Sequence, residues 1–287
     1  MISTRWPTPW LCLLLWLPAV AVTHSEPGNA LRLGIHPYLA PSELLERFTP
    51  LAQYLSDRVG RPVELQIAKD YAAHLDAIAE GRVDIALLGP VPYVELADRC
   101  GDFPLLGRLE IGGRPTLRGV IVARGDSPIR SLRDLVGRRV AFGDPQSTMS
   151  SVIPRYMLHE EGVGLGQLAG YRFIYNHENV ALGVLTGDFD AGAVKEEVFE
   201  RYRARGLKAI AYSPEVSEHV FVARQSLDPD LVEALREAML ELRSKDPSGR
   251  IRGSIKEDMT GVVPAQDSDY DTLRFILAEV WEQEATR

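Results

Sequence analysis

The stretch FGDPQSTMSS, Phe142 to Ser151, places three hydroxyls, Ser147, Thr148 and Ser150, behind a Gly-Asp-Pro turn and the apolar residues Val140-Ala141-Phe142. Ser147 suits the cap of a helix beginning at Thr148, and a helix start leaves its first backbone N–H groups without intrahelical acceptors. Those N–H groups, the positive end of the helix dipole and the hydroxyls together suit a tetrahedral oxyanion. The same residues equally suit an ordinary helix cap, so the local pattern leaves both readings open.

Other candidates are weaker one by one. His177 opens the next helix, where an imidazole can donate to the same anion or simply cap the helix. Tyr71 and Tyr93 fall just past the ends of two strands, where a phenol either reaches across a cleft or packs on loops. Glu197 and His219 lie beyond the strand FDAGAV and beside the later stretch EHVFVAR, as ligand contacts or as solvated charge. No GxSxG, CxxC, HExxH or Walker A pattern occurs, and no carboxylate pair has acid/base spacing. Neither an enzyme nor a metal or cofactor is expected.

The elements that must carry these residues alternate. Strands are predicted over 30–37, 63–68 and 83–90, with helices over 41–59 and 71–81 between them, a β-α-β-α-β run of an open α/β sheet. Ligands in such sheets bind beyond the carboxyl ends of strands, so His36 to Tyr38, Asp70-Tyr71 and Gly89-Pro90 share one rim. A second unit follows: strand 138–143, helix 148–162, strand 171–176, helix 178–187 and strand 189–194, with a final helix from Tyr270 to about Glu284. RGVIVARGDSP (118–128) and EHVFVARQSLD (218–228) are near-copies, either two crossovers between lobes or two unrelated edge strands. As crossovers they imply two Rossmann-like α/β lobes joined by a two-strand hinge, with the ligand between them. The expected division is lobe one over 22–118 plus 225–287 and lobe two over 119–224, crossover strands included.

The 287 residues are 45% hydrophobic and 25% charged, an ordinary globular composition for one to two domains. Arg5, the apolar run Trp10–Val22 and Ala19-Val20-Ala21 predict a cleaved signal peptide over 1–21. Cys12 lies in that run, so the mature chain keeps Cys100 alone and no intrachain disulfide. The net charge of −8 argues against nucleic acid and against an anionic membrane surface, but not against a small anion in a locally dipolar site.

Three stretches, KDYAAHLDAIAEGRVDIALLGP, RGVIVARGDSPIRSLRDLVGRRVAFGDPQSTMSS and HENVALGVLTGDFDAGAV, resemble the phosphate/phosphite/phosphonate-binding components of ABC transporters. These are periplasmic solute-binding proteins of the type II two-lobed fold, and the resemblance spans nearly the whole mature chain. It implies that Ser147, Thr148 and Ser150 clasp the oxyanion, that His177 donates to it, and that Tyr71 meets it from the opposite lobe. Where family members place a Tyr before the first crossover, this chain has Leu117 and Arg118. Of the two acids that hold the amine of an aminoalkyl phosphonate, Glu197 matches one, while His219 stands at the other place. The resemblance thus implies an intact oxyanion half and an altered amine half, with phosphate, phosphite or another small phosphonate as ligand. The implied partner is an ABC permease, or alternatively a membrane sensor ectodomain, and the implied state is a periplasmic monomer.

Overall fold

A computed structural model describes residues 30–285; the leader expected over 1–21, with Cys12, lies outside them. The first unit runs β1 (Leu31–Ile35), α1 (Pro41–Val59), β2 (Val63–Ile67), α2 (Tyr71–Ala79), β3 (Ile85–Leu88), α3 (Pro90–Cys100) and β4 (Leu105–Ile111). β5 (Thr116–Leu117) then leads into β6 (Gly119–Arg124) of a second unit. That unit continues with β7 (Arg139–Phe142) and a π-helical turn, Thr148–Val152, that merges into α4 (Ile153–Glu160). It is completed by β8 (Gly170–Phe173), α5 (His177–Thr186), β9 (Ala191–Lys195), α6 (Glu196–Arg203) and β10 (Leu207–Tyr212). The chain returns through β11 (Val216–Ser217) into β12 (Val220–Ala223), α7 (Pro229–Leu240), α8 (Leu242–Lys245), α9 (Arg250–Ile255), β13 (Met259–Val263) and α10 (Asp271–Ala285).

The local reasons are plain. In α1, Leu44, Phe48, Leu51 and Leu55 repeat at helical spacing and are all buried, Pro41 opens the helix, and Gly60 closes it with a left-handed φ of 66°. In β6, Ile121 and Ala123 join one apolar cluster while Val120 and Val122 join another, so both faces are covered and the strand reads as continuously apolar.

Two sheets result, in the orders β13-β4-β12-β3-β1-β2 and β10-β6-β9-β7-β8. Each contains one strand delivered from the other unit. β6 enters the second sheet antiparallel to β9 and β10, and β12 enters the first antiparallel to β3 and β4. The near-copies RGVIVAR and EHVFVAR are these two entering strands, and they do not pair with each other. The strands that do pair are β5 and β11, Leu117 with Val216 and Thr116 with Ser217, two residues upstream. Val220–Ala223, expected inside lobe two, is therefore a strand of the first sheet, because its two neighbours β3 and β4 both lie there.

The units also meet away from the hinge. Met149, Val152 and Ile153 share an apolar cluster with Val91, Val94 and Leu273 of the first unit. The Val91 amide donates to Thr148 Oγ1 at 3.1 Å, and Gln146 Nε2 donates to Glu95 at 2.9 Å. These contacts bridge the two units beside the cleft.

Candidate functional site

Five helices begin at one small chamber. Tyr71 is the first residue of α2, Gly89 caps α3, Ser147 precedes the π-helical turn, His177 is the first residue of α5, and Lys195 precedes α6. All five line a cavity of about 30 Å³ together with His36, Tyr38, Leu117, Thr148 and His219, among others. The convergence follows from the two sheets facing each other with their strand carboxyl ends inward. The start of a helix is the positive end of its dipole, so five such ends gather around one space in a chain whose net charge is −8.

The tautomer of His177 is set by its surroundings. The Lys195 backbone amide donates to His177 Nδ1 at 3.0 Å, so that nitrogen is unprotonated and Nε2 carries the hydrogen. Burial, with the Lys195, His219 and Lys256 charges, holds the imidazole well below its usual range, so it stays a neutral N–H donor. Burial likewise pushes the Tyr71 phenol up, with Asp144 and Tyr38 adding to it, so it remains an O–H donor. Thr148 Oγ1 accepts from Val91 and keeps its own hydrogen to donate.

Lys195 supplies the charge. Among the described residues no carboxylate lies within ion-pair distance of its Nζ, although Glu197 and Glu218 act on it from further away. Burial and Lys256 both lower its pKa. His219 stacks on His36, ring centroids 5.3 Å apart, and its Nδ1 lies 2.6 Å from Glu218. Burial disfavours the Glu218 charge, but His219, Lys256 and Lys195 outweigh it and keep the carboxyl ionised. His219 therefore donates from Nδ1. His36 Nδ1 is 3.3 Å from the Leu87 carbonyl, which can only accept, so it too is a donor there.

A vestibule of about 570 Å³ adjoins the chamber and shares His36, Tyr38, His177, Lys195 and His219 with it. Glu197, Glu218 and Lys256 line its inner part. Among the described residues no group of three or more His, Cys, Asp or Glu is arranged to hold a metal ion.

Of the residues singled out from sequence, Tyr71, Ser147, Thr148, His177 and His219 meet at the chamber, and Glu197 lines the vestibule. Two of the expected residues are engaged elsewhere in the fold. Tyr93 lines neither space. It sits one turn into α3, is 1% exposed, stacks on Tyr270 with centroids 4.5 Å apart, and donates its hydroxyl to Asp267 at 2.6 Å. Ser150 is fully buried, and its hydroxyl is spent on the Ala193 carbonyl at 2.7 Å. It ties the helix start to β9, and the close fit leaves no free space for a side chain at residue 143. A Cβ on Gly143 would clash with Ser150 Oγ.

The residues missed from sequence are Lys195, Lys256 and Glu218. Lys195 ends a strand of the second unit, so the rim argument that picked Tyr71 applied to it equally. Lys256 follows α9, far along the chain from every strand end of the rim, and no local signal marks it.

The fold and site define a two-lobed α/β solute-binding protein of the type II periplasmic class. Residues 33–270 match the family described as the periplasmic substrate-binding protein of phosphonate ABC transporters, and the chain belongs to that family. It is a transport component located in the periplasm, with a small ligand and a permease as partners, and not an enzyme. The chain is 29% identical over 259 residues to the phosphate-import protein PhnD of Mycolicibacterium smegmatis, covering 82% of this chain and 81% of that one. It is 27% identical over 212 residues to the phosphonates-binding periplasmic protein of Escherichia coli, covering 70% of this chain and 63% of that one. In fold it is similar to PhnD1 of Prochlorococcus marinus in complex with methylphosphonate, with a TM-score of 0.78 at 21% identity over 88% of this chain and 98% of that one.

Proposed function

We propose that the chain captures a small phosphorus oxyanion, a phosphonate, phosphite or phosphate, in the 30 Å³ chamber and delivers it to an ABC permease. The observation that carries this reading is the convergence of five helix starts on one small cavity that Lys195 also lines. A dehydrated anion loses its water shell, and only a cage of donors compensates that loss. Here the donors are Lys195 Nζ, His177 Nε2, the Tyr71 phenol, the Ser147 and Thr148 hydroxyls, and the first amides of the π-helical turn. Ser150 supports the cage from behind. Tyr71 and Gly89 belong to one lobe and the other donors to the second, so ligand binding draws the lobes together.

We place lobe one at residues 30–115 with 218–285, lobe two at 119–213, and the hinge in β5 and β11. Isothermal calorimetry of the purified chain against phosphate, phosphite, methylphosphonate, sulfate and acetate tests the reading. Binding of at least one phosphorus oxyanion, more tightly than sulfate or acetate, is expected. Binding of sulfate or acetate alone would overturn it.

A further inference from the structure

Two carboxylates face the vestibule next to the anion chamber, and one lysine occupies both. Lys256 Nζ lies 2.5 Å from Glu197 of α6 and 3.5 Å from Glu218 ahead of β12. Glu218 in turn holds His219, which lines the chamber, so Lys256 is linked to the chamber through one carboxylate and one imidazole. The remaining carboxylates of the vestibule are tied up or remote. Glu43 pairs with Arg47 and Glu178 with Arg201, while Glu257 and Asp258 are exposed in water, where an ion pair is worth little.

We propose that Lys256 is a built-in counter-cation that fills the place a ligand ammonium would take, so that the site accepts phosphorus oxyanions with neutral substituents and rejects aminoalkyl phosphonates. The proposal rests on the anion reading above and adds the substituent class. A ligand ammonium entering the vestibule finds both inner carboxylates already neutralised and meets the charges of Lys256 and Lys195. Rejection of this kind is a repulsive device and costs the accepted ligands nothing. A neutral group of the same length meets no such penalty, and 570 Å³ leaves it ample room.

Lys256 also bridges the lobes, and a mere latch would shift the affinity of every ligand by one common factor. The discriminating quantity is therefore a ratio. Calorimetry with 2-hydroxyethylphosphonate and 2-aminoethylphosphonate, equal in length and different in charge, is expected to show the amine binding at least about tenfold more weakly to the unmodified protein. Lys256→Met is expected to narrow or reverse that ratio by at least about tenfold, and Lys256→Arg to retain it. Equal affinities in the unmodified protein, within about threefold, would overturn the proposal even if Lys256→Met fails to fold. So would a Lys256→Met protein in which both ligands weaken alike. Binding of methylphosphonate, phosphite or phosphate alongside either result leaves the anion reading standing, whereas binding of none of these and of neither substituted phosphonate overturns both.

Discussion

The backbone amide of Lys195 donates to Nδ1 of His177 at 3.0 Å, joining the end of β9 to the start of α5 and turning Nε2–H of the imidazole outward as a donor. A strand end thus sets the protonation pattern of a residue on a neighbouring helix. His177→Ala is expected to weaken phosphonate binding about tenfold or more, the worth of one hydrogen bond to a charged group. Because the imidazole is held neutral, calorimetric affinity is expected to show no His177-dependent step near pH 6.5. A step that disappears in the variant would contradict the assigned tautomer.

Lys195→Met removes the one lysine that lines the chamber among the described residues. A hydrogen bond to a charged group contributes about 1.5–3 kcal/mol, so affinity is expected to fall about 10- to 100-fold. The slope of affinity against salt should flatten in the same variant. Unchanged affinity would remove Lys195 from the site.

Ser150→Ala separates a supporting residue from a binding one. Its hydroxyl is bonded to Ala193, so the variant is expected to lose about 1–2 kcal/mol of stability in urea unfolding, while a bound phosphonate loses less than about threefold in affinity. Gly143→Ala, which drives a methyl group against Ser150, is expected to cost about 1–3 kcal/mol.

Tyr93→Phe tests whether Tyr93 packs the fold or meets the ligand. The ring stays packed on Tyr270 and the bond to Asp267 is lost, so stability drops by about 1 kcal/mol and affinity is unchanged. A tenfold loss of affinity would return Tyr93 to the cleft.

His74 is buried behind the rim with Nε2 3.1 Å from the Leu87 carbonyl, and burial lowers its pKa from 6.5 to about 4. The folded state therefore resists taking a proton that the unfolded chain accepts below pH 6.5. The stability this costs is absent above pH 6.5 and grows as pH falls to about 4, where it reaches on the order of 3 kcal/mol. Urea unfolding of His74→Gln is expected to show a shallower loss of stability between pH 6.5 and 4.

The alternation of strands and helices was legible because its periods are local. Leu44, Phe48, Leu51 and Leu55 announce α1, and the apolar runs of β1, β3 and β9 announce buried strands. From that order the rule of strand carboxyl ends already placed Tyr71, Ser147 and His177 on rims that could meet. The sequence could not tell which way a hydroxyl turns. Ser147 and Ser150 lie three residues apart in one motif, yet one opens on the chamber and the other binds β9, because the π-helical turn rotates them to different sides. It also could not separate Tyr93 from Tyr71. Both follow strands closely, but Tyr71 begins its helix while Tyr93 lies a turn inside its own, where Tyr270 and Asp267 claim it. The crossover repeat was visible as a pattern, yet its assignment to two sheets is a matter of long-range strand pairing. Lys256 shows the limit most clearly. Its partners Glu197 and Glu218 come from α6 and from the entry to β12, so only the closing of one lobe on the other brings the three charges together. Local spacing encodes the elements and the ends at which chemistry can gather; the pairing of charges across the cleft belongs to the tertiary structure, because Coulomb attraction and burial act through space and leave no period in the chain.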